Sequence, residues 1–369
     1  AVIMGISLVL NLTLVLLRVD IASTTGIEPD YYVPYDTTRF PYPAFYTDEL
    51  SYYNVILNIT FPDLLHQKIA YMLQTRQFTY INFYSYYIQF LKNAFHLNWV
   101  GIIFFTGVLY NIIFTITMFY ILTTILRVPL RKVVPWLLFI EFSPPYLQLI
   151  SSWIRDLLII DLLLLAFVFA MKKRFFSWSV VTLLQLLIRA YMVPLHLFFL
   201  VYFFSNVRHH QSRSNHEKWL AGIGIVAFSL VLVLMQVGFR KTFQEIPGRL
   251  VDNFTGLTIS LLKGNITLRG DLYDYLFNIE MLSIYFYPIF YLIFYISLFV
   301  RISILRVKST YDQKKYISTF LFVGLYIVIL HSAYIGFFVS RIQFITMVFG
   351  YIALASFSGG KYSHDSTDN

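Results

Sequence analysis

Residues 99–122 read WVGIIFFTGVLYNIIFTITMFYIL, an apolar stretch without a single charged side chain. An α-helix rises about 1.5 Å per residue, so this stretch is long enough to cross a hydrocarbon core of roughly 30 Å. A water-soluble helix would show a polar face at a period of 3.6 residues, and none is present here. The stretch therefore predicts a membrane-spanning helix.

Similar stretches recur along the chain and predict an all-α, polytopic integral membrane protein with about ten transmembrane helices. The predicted spans are 1–17, 99–122, 134–151, 156–171, 178–189, 191–205, 219–238, 282–300, 316–337 and 342–357. Charged residues make up 13% of the 369 residues and hydrophobic residues 58%, whereas soluble domains carry about 25% charged residues. This composition excludes disordered, collagen-like and coiled-coil proteins. Because the chain has 0 cysteines, disulfides, thiolate metal sites and cysteine nucleophiles are excluded as well.

Positive charge is concentrated in the loops on one side of these spans. If the N-terminus is cytoplasmic, the short inner loops and the tail 358–369 hold more than half of the 28 lysines and arginines. The opposite orientation would place Lys172, Lys173 and Arg174 outside, against the positive-inside rule. The net charge of +9 is therefore interpreted as cytoplasmic-loop charge, and no nucleic-acid partner is expected.

This orientation leaves two large extracytoplasmic loops, 18–98 and 239–281, within a single transmembrane domain covering 1–369. Residues 60–73 of the first loop are predicted to form a helix, and a second helix is predicted over 84–95. Both are shorter than a span and rich in aromatic residues, so they are expected to lie in the membrane interface.

Several polar residues fall on the outer side, where the rule predicts few positive charges. Each could be structural, as an ion pair or a side chain that reaches the lipid headgroups. As a set, the arginines resemble a site for an anionic lipid head, because guanidinium binds phosphate in bidentate fashion and keeps its charge. The residues are Arg155, Arg189, Arg240 and Arg341, accompanied by Asp156, His196 and His331.

Carboxylates supply the second half of a possible site. Asp48 and Glu49 lie in the first outer loop and precede Tyr52 and Tyr53. Such a pair is either solvated or, opposite an arginine-lined lipid site, a candidate general base. Two other acids, Glu141 and Asp161, fall inside predicted spans and are expected to be hydrogen-bonded within the helix bundle.

Four segments of the sequence resemble the GT-C superfamily of membrane glycosyltransferases. The segment 48–53 (DELSYY) is similar to the Asp-Glu-x-x-Tyr element of the family's first outer loop. The segment 142–156 (FSPPYLQLISSWIRD) is similar to a Pro-x(n)-Ser-x-x-Arg-Asp stretch of bacterial members. The segments 187–191 (LIRAY) and 340–344 (SRIQF) follow in the expected order, although the last lacks the family's proline.

The resemblance implies transfer of a sugar or oligosaccharide from a polyprenyl-(di)phosphate carrier to an acceptor at the extracytoplasmic face. Asp48 would be the general base and Glu49 would orient the acceptor or tune Asp48. The arginines would bind the lipid phosphate. Tyr52 and Tyr53, with Asp156, His196 and His331, would contact substrate. No cofactor is required, and a divalent metal ion at the Asp48–Glu49 pair is compatible with the family.

The expected partners are membrane lipid and the polyprenyl-linked donor, and the expected location is a bacterial inner membrane with the N-terminus in the cytoplasm. The related oligosaccharide repeat-unit polymerases share these features, so the resemblance does not separate transferase from polymerase. Two alternatives stay open: an accessory subunit of a large membrane complex, for example a respiratory one in an organellar inner membrane, and a transporter.

Overall fold

A computed structural model describes about half of the chain. The residues described are 2–25, 62–63, 66, 69–70, 73–74, 83–152, 155–189, 192–204, 296–298, 300, 304, 311–330 and 340–358. Within these ranges the protein is all-helical and contains no strand, which confirms the predicted all-α class. The predicted span 219–238 and the loop 239–281 lie outside the described residues.

The helices of the described ranges are numbered here in chain order. They are α1 Val2–Thr25, α2 Tyr84–Phe95, α3 Trp99–Tyr120, α4 Leu130–Glu141, α5 Pro144–Ile150, α6 Asp156–Met171, α7 Phe175–Arg189, α8 Val193–Phe204, α9 Tyr311–Leu330 and α10 Ser340–Ser356.

Helix α3 contains the stretch quoted first and lies at the centre of the bundle, where it contacts α1, α2, α4, α5 and α6. The Asn98 side chain caps its N-terminus by accepting a hydrogen bond of 2.9 Å from the Gly101 amide, as expected for asparagine at this position. At its other end the helix continues as a π-helical turn over Ile121–Ile125. The predicted helix over 99–122 is therefore confirmed.

Helix α6 has the bounds that the sequence predicts and is buried almost all round. Its Phe167 ring makes edge contacts with Phe199 and Phe203 of α8 and with Phe349 of α10, at centroid distances between 5.4 Å and 5.7 Å. Aromatic edge-to-face contacts of this kind stabilise packing beyond the burial of area. They join α6, α8 and α10 into one core.

The predicted single span 134–151 is wrong, because it consists of two helices. Helix α4 ends at Glu141, and α5 begins at Pro144 after Ser143 adopts an extended conformation with ψ 138°. The residue before a proline disfavours the helical conformation, while proline itself suits the first turn of a helix. The sequence Ser143-Pro144-Pro145 therefore interrupts the span near its middle.

Helix α2 confirms the helix predicted over 84–95, and it folds back against α3. The Tyr84 and Tyr110 hydroxyls are 3.5 Å apart, and the Phe95 ring stacks on Phe105 at 5.8 Å. The described residues between 62 and 74 are also helical, which agrees with the helix predicted over 60–73. The interfacial location of both helices stays a prediction.

Helix α1 is longer than the predicted span 1–17 and continues to Thr25. The added turns carry Arg18 and Asp20, which the sequence had assigned to the first outer loop. Neither Arg18 nor Asp20 strongly disfavours a helical conformation. Because α1 also packs on α3, α4 and α5, its helix is stabilised beyond the predicted end.

Among the described residues, two helical segments are long and apolar enough to cross a membrane, Ile3–Asp20 and Trp99–Ile125, and three shorter apolar helices accompany them. One or two such segments are weak evidence for membrane insertion. Large apolar side chains also point outward from several helices: Val9 is 64% exposed, Ile116 55% and Phe176 81%. An apolar exterior of this kind is typical of a surface that meets lipid or a partner protein.

Candidate functional site

An ion pair joins two of the predicted site residues at one end of the bundle. Arg189 is the last residue of α7 and Asp156 the first of α6, and the guanidinium Nη1 donates to Asp156 Oδ1. The two side chains are only 12% and 10% exposed, so the pair is largely shielded from water. A carboxylate in the first turn of α6 also complements the helix dipole. The structure therefore brings together Arg189 and Asp156, which are 33 residues apart.

Arg155 lies beside this pair because it directly precedes Asp156. It is the N-cap residue of α6, its backbone is helical, and its carbonyl accepts the first helical hydrogen bond, from the Ile159 amide at 3.0 Å. The Arg155 side chain is partly buried. Two guanidinium groups and one carboxylate are therefore gathered at the start of α6.

A third arginine at this end was missed by the sequence analysis. Arg18 of α1 is fully buried, with 0% exposure, and its Nη1 donates to the Ser151 carbonyl in the turn before Arg155. The sequence does contain a signal. Ser7, Asn11 and Arg18 are four and seven residues apart, which places them on one face of a helix. Only a helix longer than the predicted span makes that face continuous. We call Arg18, Arg155, Asp156 and Arg189 the arginine rim.

Arg341 lies in the first turn of α10, at the same end of the bundle. One turn further along, Phe344 contacts Tyr146 of α5 at 5.8 Å and Phe114 of α3 at 6.1 Å. Since α5 leads directly toward Ser151 and Arg155, the beginning of α10 approaches the arginine rim. The backbone of Arg341 is helical.

His196 is placed away from any open surface. It is fully buried in the first turns of α8, and its Nδ1 lies 3.1 Å from the Thr182 hydroxyl of α7. This hydrogen bond stabilises the packing of α7 on α8. The remaining predicted site residues lie outside the described residues: Asp48, Glu49, Tyr52, Tyr53, Arg240 and His331.

An open groove of about 740 Å³ runs along one face of α2. It is lined by aromatic rings, among them Tyr86 and Tyr87, and by the side-chain amides of Gln89 and Asn93. Its first lining residue, Phe83, donates its backbone N–H to the Leu187 carbonyl at 3.4 Å, two residues before Arg189. We call this groove the aromatic cleft. Burial raises the pKa of the Tyr86 hydroxyl, so the group keeps its proton as a hydrogen-bond donor.

A network of buried polar side chains continues inward from the rim. The carboxylate of Glu141, at the end of α4, accepts from the Ser7 hydroxyl of α1 and from the Thr115 hydroxyl of α3 at 2.6 Å. The Thr115 hydroxyl oxygen also lies 3.2 Å from Asn111 Oδ1, and the Tyr146 hydroxyl donates to that same Asn111 oxygen at 2.6 Å. The expectation that Glu141 is hydrogen-bonded within the bundle is confirmed. Because α4 stops at Glu141, its carboxylate lies at the break between α4 and α5.

Asn11 holds α1 against this network. Its Nδ2 donates to the Ile150 carbonyl at the end of α5. The contact requires Gly107 on α3, because a Cβ there would meet both the Asn11 amide and the Ile150 carbonyl. Since the first and last turns of a helix leave backbone groups unsatisfied, Asn11 and Arg18 together supply donors for the end of α5.

Asp161 differs from Glu141. It is fully buried in the middle of α6, and neither carboxylate oxygen has a hydrogen-bond partner among the described residues. The expectation that it is hydrogen-bonded within the bundle is therefore wrong for this part of the chain. An unpaired buried carboxyl is costly, so it is a position to test for function.

The chemistry that these groups allow is binding of an anion at the rim and of a ring-bearing molecule in the aromatic cleft. The described residues contain no group of three or more His, Asp and Glu side chains arranged for a metal ion. No protein-family model, curated protein or solved structure matches this chain. The resemblance to membrane glycosyltransferases thus stays a prediction from sequence.

Proposed function

We propose that this protein transfers a sugar or oligosaccharide from a polyprenyl-(di)phosphate carrier to an acceptor at the extracytoplasmic membrane face. The observation that carries the proposal is the hydrogen bond from Phe83, which lines the aromatic cleft, to Leu187, which lies two residues before Arg189 of the arginine rim. A lipid-linked sugar combines a phosphate with adjacent sugar rings, and the rim and the cleft together suit these two parts.

The membrane arrangement proposed for this activity has about ten spans with a cytoplasmic N-terminus. The apolar exterior of the helices supports it. The positions of helix ends support it too, because residues assigned to the inner side lie together. Lys172, after α6, is 5.7 Å from the Tyr120 ring at the end of α3, and Gln313 at the start of α9 donates to the Ser356 carbonyl at the end of α10 at 3.3 Å.

Arg155 and Arg189 of the rim would bind the phosphate of the carrier, whereas the fully buried Arg18 would support the turn before them. Asp156 accepts from Nη1 of Arg189. The ion pair would orient the Arg189 guanidinium, a planar group that keeps its positive charge and so attracts phosphate. Arg155, Arg240 and Arg341 would add positive charge where negative charge develops as the glycosidic bond breaks.

The aromatic cleft would bind the sugar. Tyrosine rings stack against the apolar faces of sugar rings, and amide side chains offer both donors and acceptors to hydroxyls. Tyr86, Tyr87, Gln89 and Asn93 supply this combination. Tyr52 and Tyr53 would contribute further rings from the first outer loop.

The proposed step is a direct displacement. The acceptor hydroxyl oxygen attacks the anomeric carbon, its proton passes to Asp48, and the bond from the anomeric carbon to the phosphate oxygen breaks. The bonding electrons leave with the polyprenyl (di)phosphate, whose charge the arginines stabilise. One displacement predicts inversion at the anomeric carbon. The phosphate is already a good leaving group, so no general acid is needed.

Copurifying lipid tests the proposal directly. The protein is purified in mild detergent from its native membrane, and its lipid extract is examined by mass spectrometry for polyprenyl phosphates. We expect such lipids with the unaltered protein and their loss in Arg155→Ala, with Arg155→Lys also poor because a lysine cannot bind in bidentate fashion. Lys173→Ala, at the other end of α6, is the matched control.

Product formation provides the second readout. Glycan staining in the native host should fail for Asp48→Asn and for Arg155→Ala while both proteins insert normally. Wild-type glycan in both variants would overturn the assignment.

A specific observation favours transport as a second candidate function. Glu141 lies at a helix break in the middle of a predicted span, and discontinuous helices with buried ionisable residues often form ion sites in transporters. Proteoliposomes with an entrapped pH-sensitive dye distinguish the two. Transport predicts a protein-dependent proton flux that Glu141→Gln abolishes, and the transferase predicts none.

A further inference from the structure

A second cavity lies at the opposite end of the bundle from the arginine rim. It has a volume of about 520 Å³ and is bounded by α4, by α10 and by the short described helical segment around residue 297. On α10, Tyr351 and Leu354 line it, ten or more residues beyond Arg341. At about 1.5 Å per residue, this separation is roughly 15–20 Å along the helix. The cavity is therefore distinct from the proposed substrate site.

The walls of this cavity are apolar and aromatic. Trp136 and Phe139 of α4 meet the Tyr351 ring edge-on, at centroid distances of 6.1 Å and 5.5 Å. Phe139 is itself 53% exposed, so an apolar ring faces outward beside the cavity. Such walls suit a hydrocarbon chain and offer little to a polar solute.

Two cations stand at the mouth of the cavity. Arg131 and Lys132 begin α4, line the cavity, and are both exposed. Neither forms an ion pair with an acidic residue of the described ranges. In the orientation predicted from loop charge, this end of the bundle faces the cytoplasm, where the leaflet carries anionic lipid.

We propose that this cavity binds one anionic phospholipid of the cytoplasmic leaflet. One acyl chain lies against the outer surfaces of Trp136, Phe139 and Tyr351, and the phosphate meets Arg131 and Lys132. Charge complementarity selects this occupant over a zwitterionic lipid, and the apolar walls select it over a free phosphate. The site does not depend on the sugar-transfer proposal, because none of its residues belongs to the rim or the aromatic cleft.

The test measures lipid retention by native mass spectrometry of the purified full-length protein. Dioleoylphosphatidylglycerol and dioleoylphosphatidylcholine are added separately at equal concentration. We expect selective retention of the phosphatidylglycerol. The Arg131→Ala/Lys132→Ala double variant should lower its apparent affinity roughly tenfold or more, since each cation near an anionic headgroup contributes on the order of 1 kcal/mol.

Two further variants separate the cavity from general surface charge. Lys173→Ala/Arg174→Ala removes the same number of positive charges, but from the turn between α6 and α7, and lipid retention should be unchanged. Ser297→Phe fills the cavity from an exposed position without altering charge, and retention should be lost. Equal retention of both lipids, an equal loss in the Lys173/Arg174 control, or full retention in Ser297→Phe would each overturn the proposal.

Discussion

The Ser7 hydroxyl donates a hydrogen bond to the Glu141 carboxylate, although the two residues are 134 positions apart. This contact joins α1 to the end of α4, where the chain breaks before α5. A carboxylate that is buried at such a break requires donors, and Ser7 and Thr115 supply them from two other helices. The helix break therefore leaves the Glu141 carboxylate buried, and the Ser7 and Thr115 hydroxyls stabilise it there.

Replacing Glu141 should destabilise the bundle in proportion to the hydrogen bonds lost. Glu141→Leu leaves the Ser7 and Thr115 hydroxyls without their acceptor, and we expect a loss of about 1–3 kcal/mol in the free energy of unfolding. Glu141→Gln keeps one acceptor oxygen and should lose less. Thermal unfolding in detergent, followed by tryptophan fluorescence, measures the difference. A double-mutant cycle with Ser7→Ala should give a nonzero coupling energy, and strict additivity would contradict the contact.

Gly107 should not tolerate a side chain. In Gly107→Ala the new Cβ would meet the Asn11 amide and the Ile150 carbonyl, and overpacking of this kind typically costs about 1–3 kcal/mol. Gly5→Ala is the matched control, because a Cβ at Gly5 has no neighbour within 4 Å. The control should be neutral or stabilising by up to about 1 kcal/mol, since alanine favours the helix. Equal unfolding temperatures for the two variants would contradict the close approach of α1 and α3.

Asp161→Leu should raise the unfolding temperature. The carboxyl has no hydrogen-bond partner among the described residues, so a leucine of similar size removes a buried polar group without orphaning another. Asp156→Leu, on the same helix, is the comparison and should destabilise, because it leaves the Arg189 guanidinium without its carboxylate. If Asp161→Leu unfolds at a lower temperature than the unaltered protein, Asp161 has a stabilising partner that the described residues do not include.

The Arg189–Asp156 ion pair should tolerate an exchange of its two charges better than reversal of either charge alone. Reversing the charge of one residue in a shielded ion pair leaves an uncompensated charge in the bundle. This typically lowers the free energy of unfolding by up to about 3–5 kcal/mol. The double variant Arg189→Asp/Asp156→Arg restores opposite charges and should recover part of the folded yield that each single charge reversal loses. Size-exclusion chromatography of the membrane extract measures that yield. Glycan formation should stay impaired in the reversed pair, because the guanidinium has moved from α7 to α6.

Tyrosines of the aromatic cleft should affect sugar binding more than turnover. Tyr87→Ala removes a ring that lines the cleft, and we expect a rise of roughly two- to twelvefold in the apparent KM for the donor, since a ring contact contributes about 0.5–1.5 kcal/mol. Tyr87→Phe keeps the ring and should stay within about twofold. A fall in kcat with an unchanged KM would place Tyr87 outside the sugar site.

The sequence predicted helices best where one segment alone decides the structure. The apolar stretch at 99–122 and the buried helix over 156–171 have almost the predicted bounds, because each is terminated by its own polar residues. The stretch 134–151 was mispredicted because its hydropathy is continuous while Pro144 interrupts the backbone. The apolar stretch of the first helix stops at Arg18 and so predicts too short a helix, whereas in the structure the end of α5 provides an acceptor for Arg18 and α1 continues beyond it.

Part of the candidate site could likewise be predicted from the sequence, and part of it could not. Arg155, Asp156 and Arg189 could be selected from sequence because charges on the predicted outer side are few. Their pairing could not be deduced, since Asp156 has two arginines within reach along the chain or across helices. Arg18 and the amide side chains of α2 were missed because neither lies in a motif.

By itself, the sequence determined that the chain is helical, rich in apolar segments and asymmetric in its loop charge, because these properties depend on composition and on residues close together in the chain. Only the tertiary structure decided which polar groups meet. Hydrogen bonds such as Ser7–Glu141 and Asn11–Ile150 depend on how helices far apart in sequence align, and on Gly107 letting two of them approach. Local periodicity contains no information about that alignment.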